Sequence, residues 1–301
     1  MVMNYQKFEQ TLNMFVFLAV ELTLLFLVVS YLVGVLQQYL SPVKIQSILS
    51  SKQGKGYIIA AFLGAITPFC SCSTIPFLKG LLRARAGFGT MMVFLFASPL
   101  LNPIIIGLFV VTFGLQVAAF YFMIAMTISV LAGYLLEKFG FEQYVKSDAY
   151  VEPVSKGCSG TAADKVNKWL KIWQLTWTDF KGVLPYLIVG IAIGSLIYGF
   201  MPTDLVVQFA NDENPFAIPV AAVIGIPLYI RAEAVIPLSA ALAAKGMSLG
   251  AVMALIIGSA GASLTEVVLL KSIFKIPMII AFLTVILSMA MSAGYLYLYF
   301  F

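Results

Sequence analysis

Histidine is absent from this 301-residue chain, and charged residues make up only 10% of it. Without imidazole there can be no histidine metal site, no Ser-His-Asp triad and no histidine proton relay. The charge content is far below the quarter or so that soluble domains carry. No Gly-x-x-x-x-Gly-Lys-Ser/Thr run occurs, so ATP is not hydrolysed through that motif. With no recognisable nucleophile-base arrangement either, neither an enzyme nor a bound cofactor is expected. Three cysteines, Cys70, Cys72 and Cys158, are the only soft ligands, and their placement gives no reason to expect a structural disulfide. Residues 1–13 lack a basic region followed by a short apolar core and a small-residue cleavage site, so the first helix is expected to remain in the mature protein.

What is abundant is apolar surface: 61% of residues are hydrophobic and the mean hydropathy is +1.01. This composition predicts an all-α polytopic membrane protein. A helix needs about 20 apolar residues to cross a bilayer core of about 30 Å. Segments of that kind fall at 14–36, 90–113, 117–136, 183–201, 249–270 and 277–300, and two more, 57–82 and 216–244, are apolar but broken. The net charge of +5 sits on short loops between spans, where lysine and arginine act as topology determinants rather than as a nucleic-acid surface.

The chain also resembles itself. Gly64 and Pro76 recur as Gly225 and Pro237, both displaced by 161 residues, and the register holds without gaps from Ala60-Ala61 against Ala221-Ala222 to Ser98 against Ser259. Ile75, Leu81, Gly89 and Met92 match Ile236, Leu242, Gly250 and Met253 in the same register. Tandem repeats of this sort, at 1–138 and 176–301 around a connector at 139–175, are a common construction of secondary transporters.

Loop charge bears on how the two broken segments lie. If both crossed fully there would be eight spans, and the basic loops 41–56 and 79–89 would face opposite sides, against the positive-inside rule. If each is a re-entrant hairpin, both loops become cytoplasmic, together with 137–181 and the Lys271/Lys275 loop. The acidic 202–215 loop then lies outside, and only Lys7 and Lys245 disagree. The expected architecture is therefore six spans and two hairpins in two inverted repeats, with eight full transmembrane helices in parallel repeats as the alternative. Trp169, Trp173 and Trp177 share one helical face, as an interfacial helix leading into the fifth span would have them.

Chemistry concentrates in Thr67-Pro68-Phe69-Cys70-Ser71-Cys72-Ser73-Thr74-Ile75-Pro76. Irregular backbone at membrane depth persists where protein or a watery cavity satisfies it. The backbone between Pro68 and Pro76 is expected to be extended or turned. A thiolate pair prefers thiophilic metals and metalloids, which makes Cys70 and Cys72 candidate ligands, with Ser71 and Ser73 beside them. The bland alternative is a pair of small buried fillers.

In the second half the equivalent positions are Arg231 and Glu233, ahead of Pro237. Ionisable groups at membrane depth are functional candidates by default, although these two could simply neutralise one another. Glu266 could carry a proton in coupling or act as partner to Arg231; Glu21 is a weaker candidate. Pro99, Asn102 and Pro103 interrupt the third span, where Asn102 could meet substrate or cap a half-helix. Cys158 lies in the connector and reads more simply as an exposed thiol than as a capture site.

These residues resemble the predicted permeases of the organoarsenical-efflux (ArsP) type. The hallmark is a Pro-Phe-Cys-Ser-Cys-Ser run followed by a proline, then Ser-Pro-x-x-Asn-Pro about a helix later, matched by Pro68 to Ser73 with Pro76 and by Ser98, Pro99, Asn102 and Pro103. The resemblance implies transport, and it implies that the cysteines of arsenical efflux fall on Cys70 and Cys72. The resulting expectation is a bacterial inner-membrane permease exporting a soft thiophilic solute, with trivalent organoarsenicals foremost and probable partners limited to lipid, a second copy, or a protein bound through 137–181. Two other readings stay open: a permease for an anionic or sulfur-containing solute held by Arg231, and a membrane subunit that acts only with a partner protein.

Overall fold

A computed structural model describes residues 54–67, 71–83, 86–146, 216–226 and 247–300, with separate helical positions between 15 and 35, between 172 and 192, and at 236. The described residues form α1 (Lys55–Ile66), α2 (Ser71–Arg83), α3 (Phe88–Leu100), α4 (Pro103–Phe113), α5 (Leu115–Lys138), a 3-10 turn at Phe141–Tyr144, α6 (Ala217–Gly225), α7 (Leu249–Gly261), α8 (Leu264–Leu270) and α9 (Ile276–Phe300). The spans expected at 117–136, 249–270 and 277–300 coincide with α5, with α7 and α8 together, and with α9, each long and apolar enough to cross a membrane. The span expected at 90–113 is α3 and α4, bent by 43° at their junction. The expected spans at 14–36 and 183–201 lie largely outside the described residues.

The bend has a local cause. Pro99 sits inside α3 and Pro103 opens α4, so neither supplies an N–H to the ladder. Asn102 caps α4: its Oδ1 accepts from the Ile104 N–H at 3.0 Å. That N–H would otherwise have gone to the Leu100 carbonyl, which instead accepts from the Tyr121 hydroxyl at 2.9 Å. In the second half Ser263 caps α8 in the corresponding position, its Oγ accepting from the Glu266 N–H.

One expectation about the backbone fails. The chain is not extended up to Pro76: α2 begins at Ser71 and carries Pro76 within it. The reason is position. Pro76 is the sixth residue of α2, so the ladder loses only the N–H that would have met the Cys72 carbonyl, near an end where few ladder bonds exist to break.

Contacts between helices fix their directions. Tyr57 lies level with Gly89 and Gly64 with Ala97 and Ser98, so α1 and α3 run parallel. Thr74 pairs with Ser98 and Phe77 with Phe94, ring centroids 4.5 Å apart, so α2 runs the opposite way. The chain therefore advances along α3 as α1, returns as α2 and sets out again as α3 from the same end. α5 returns antiparallel, with Gly133 against Gly89 and Val93.

The second half follows the same course where it is described. α6 runs parallel to α7, with Ile218 at Gly250 and Gly225 at Leu255 and Ser259, and α9 returns with Gly294 against Gly250. The starts of α7, α8 and α9 are each displaced by 161 residues from those of α3, α4 and α5. α5 and α9 are antiparallel to each other. Phe120 meets Tyr297 and Phe300 at one end, and at the other Val145 forms an antiparallel bridge with Phe274.

Every residue of α3 is buried, and nearly every residue of α7. A helix that is hydrophobic all round belongs in the centre, and these two meet there at their C-terminal ends, Leu100 against Gly261. Phe96 of α3 stacks on Phe282 of α9 at 5.4 Å, joining the halves. Glycine is required where α6 crosses α7: a Cβ at Gly258 would sit 2.5 Å from the Ala222 carbonyl oxygen.

Candidate functional site

Four chain breaks come to one level. The end of α1 at Thr67, the start of α2 and the α3–α4 junction adjoin through Gly64, Ala97, Thr74 and Ser98. The α7–α8 junction reaches the same place through the Leu100 and Gly261 contact. α2 also packs on α8, so the helix that begins Ser71-Cys72-Ser73 lies beside the helix that carries Glu266.

The polar groups here are shut from solvent. Thr74 and Ser98 are fully buried and their hydroxyls lie 3.3 Å apart, either able to donate. Asn102 is 7% exposed and Ser259 3%, the latter donating from its hydroxyl to the Ile256 carbonyl at 3.1 Å. Glu266 is 1% exposed, with both carboxylate oxygens shielded. Burying a carboxylate at this depth is costly unless a proton or a positive group accompanies it. Hydroxyls, a side-chain amide and a carboxyl can bind a small polar solute or a coupling ion, but they offer no preference for a soft one. That preference would have to come from thiols.

Of the expected site residues, Pro99, Asn102, Pro103 and Glu266 stand at this junction, and the backbone of Ser71, Cys72, Ser73 and Pro76 belongs to α2. Pro68, Cys70, Cys158, Arg231, Glu233 and Pro237 lie outside the described residues, as does Glu21. Among the described residues, no three His, Cys, Asp or Glu side chains gather as a metal site would need. Trp173 and Trp177 stack at 6.3 Å, with the Lys181 ammonium 5.8 Å from the Trp177 ring, as their shared face predicts.

A family of predicted permeases, ArsP_1, matches residues 7–299. The chain belongs to this family. With several membrane-capable helices, it is a multi-pass membrane permease. Among ArsP_1 relatives, the UPF0718 protein YcgR of Bacillus subtilis is 22% identical, covering 96% of this chain and 97% of its own length. The UPF0718 protein MJ0584 of Methanocaldococcus jannaschii is also 22% identical, over 80% of this chain and 81% of its own. A putative two-component membrane permease complex subunit of Streptococcus mutans is 25% identical over 43% of this chain and 45% of its own length. No solved structure matches the chain significantly.

Two groups in this ArsP_1 chain escape a reading by motif. Tyr121 holds the carbonyl at the bend, and its counterpart 161 residues on is Phe282, which lacks the hydroxyl. Glu137, in the last turn of α5, accepts from the Tyr57 hydroxyl at 2.8 Å and the Gly89 N–H at 2.9 Å. The signal for both was a polar group in one half facing an apolar one in the other.

Proposed function

We propose that this permease is a secondary-active exporter of a soft, thiophilic solute, with trivalent organoarsenicals the best candidates, working by alternating access in a bacterial inner membrane. Cys70 and Cys72 bind the solute reversibly, Ser71, Ser73 and Asn102 complete its surroundings, and Arg231, Glu233 and Glu266 carry coupling charge, with protons as the coupling ion. The carrying observation is the return of the chain at the level of the α3–α4 break: parallel α1, antiparallel α2, and a helix beginning Ser71-Cys72-Ser73 where they join. A segment that leaves by the end through which it entered is a re-entrant hairpin, and discontinuous helices near the midplane are where transporters bind their cargo.

The antiparallel course of α5 and α9, at equivalent positions 161 residues apart, supports inverted rather than parallel repeats. Inverted halves exchange conformations across the membrane around a fixed site. The units we assign are a first repeat at 1–138, a cytoplasmic connector at 139–175 and a second repeat at 176–301.

A second reading has its own support. α2 and α4 both start at the junction, so the positive ends of both helices face it, which suits an anionic solute held by Arg231. A partner-dependent subunit is a third, favoured by the description of the streptococcal relative.

Uptake of trivalent methylarsenite into everted vesicles, with and without a proton gradient, separates these. Gradient-driven accumulation lost in Cys70→Ser/Cys72→Ser is the expected result. No accumulation by the wild type removes arsenicals. Transport of an oxyanion abolished by Arg231→Gln but spared by the double serine variant establishes the anion reading instead, and activity in liposomes only after a second component is added establishes the third.

A further inference from the structure

Away from this junction, a second constellation gathers where the two halves meet. Just past the end of α5, Val145 bridges Phe274, the Lys146 N–H donates to the Ile273 carbonyl, and the Lys275 N–H donates to the Tyr144 carbonyl, each hydrogen bond at 2.9 Å. The Lys146 ammonium donates to the Lys271 carbonyl at 2.5 Å. Segments 125 residues apart in sequence are thereby clasped, bringing together the lysines at 146, 271 and 275, with Lys138 in the last turn of α5. Lys138, Lys271 and Lys275 are exposed. Of the nearby carboxylates, Glu137 already accepts from Tyr57 and Gly89, and Glu142 is the other.

We propose that this clasp is a docking site for the headgroup of an anionic phospholipid, held by Lys146, Lys271 and Lys275. Position argues for it: the cluster caps the C-terminal end of one spanning helix and the N-terminal end of another, which is where phosphates lie. The surface just inside the lysines argues for a lipid over a free phosphate. Leu135 and Phe139 on the α5 side and Ile276 and Ile280 on the α9 side are all exposed, Phe139 by 69% and Ile276 by 62%. Acyl chains cover such residues, whereas a free phosphate would leave them bare. Basic pockets between transmembrane helices are the usual receptors of acidic headgroups. The lipid would bridge the first half to the second, and the site does not depend on what the permease carries.

The test uses the full-length protein in detergent, titrated with cardiolipin, phosphatidylcholine or inorganic phosphate and read by native mass spectrometry. Cardiolipin is expected to stay bound where phosphatidylcholine does not. Each of Lys146→Gln, Lys271→Gln and Lys275→Gln should weaken retention roughly 5-fold, and the triple variant on the order of 100-fold. Lys55→Gln, at the start of α1, should change nothing. Should the triple variant fail to fold, the three single variants carry the test. Equal retention by wild type and the single variants, equal loss in Lys55→Gln, or displacement of cardiolipin by equimolar inorganic phosphate would each overturn the proposal.

Discussion

The seam where α1, α3 and α5 meet and the seam where α6, α7 and α9 meet are built on one plan and closed by opposite chemistry. In the first, Tyr57, Gly89, Gly133 and Glu137 come together, and the carboxylate takes hydrogen bonds from a hydroxyl and from the first turn of α3. In the second, the equivalent positions are Ile218, Gly250, Gly294 and Leu298, and the same space is filled by hydrocarbon. The glycines are kept in both because helix backbones touch there; a Cβ on Gly250 would lie 2.8 Å from the Gly294 carbonyl oxygen. The lesson is that close packing fixes the shape of each seam while its polarity is free to differ. A charged hydrogen bond also favours one geometry more sharply than aliphatic contact, which tolerates sliding.

The largest expected effect is at the tightest crossing. Gly258→Val forces a side chain into the Ala222 backbone and should destabilise by about 3 kcal/mol or prevent folding. Ala97→Gly, its counterpart in the first half, should cost about 1 kcal/mol. Thermal unfolding in detergent measures both, and equal losses would end the idea that α6 lies closer on α7 than α1 on α3.

Next comes Glu137→Leu, which gives the first seam the residue of the second. It removes the acceptor for Tyr57 and Gly89 and should cost about 2 kcal/mol, read as a lower midpoint in the same melt. Should the variant match the wild type, the polar closure adds nothing beyond packing. Tyr57→Phe removes one of the two bonds and should lose about 1 kcal/mol, with faster hydrogen exchange across α1 while α6 keeps its wild-type rate. A matching rise in α6 would mean the two seams open as one. Smallest is Tyr121→Phe, which imports the phenyl ring of Phe282. The Leu100 carbonyl can find water or relax, so a loss of about 1 kcal/mol or less is expected, seen as altered exchange near the α3–α4 bend.

Much of this was legible because local rules govern it. Prolines at 99 and 103 with Asn102 between them announce a broken span, and Asn102 caps the following helix as its residue type favours. Matching glycines revealed the 161-residue register because glycine marks close backbone approach, a constraint that apolar filling does not impose. The helix through Pro76 was misread because the proline rule was applied without regard to where in the helix the residue falls. Thr74 against Ser98 and Tyr57 against Glu137 were invisible for another reason: they join positions 24 and 80 residues apart, and no periodicity encodes which of many hydroxyls will meet. The thiol and ion candidates at Cys70, Arg231 and Glu233 lie outside the described residues, so the sequence remains their warrant.

The backbone bridge from Val145 to Phe274 bears on how such a gene could be cut. The first half grips the second by main-chain hydrogen bonds at 144–146 and by Phe96 on Phe282, all before the connector begins its long polar run. Two separate polypeptides divided near residue 155 would still carry both surfaces of that grip. Co-expressed, they should find one another in the bilayer without the peptide link, as a split permease.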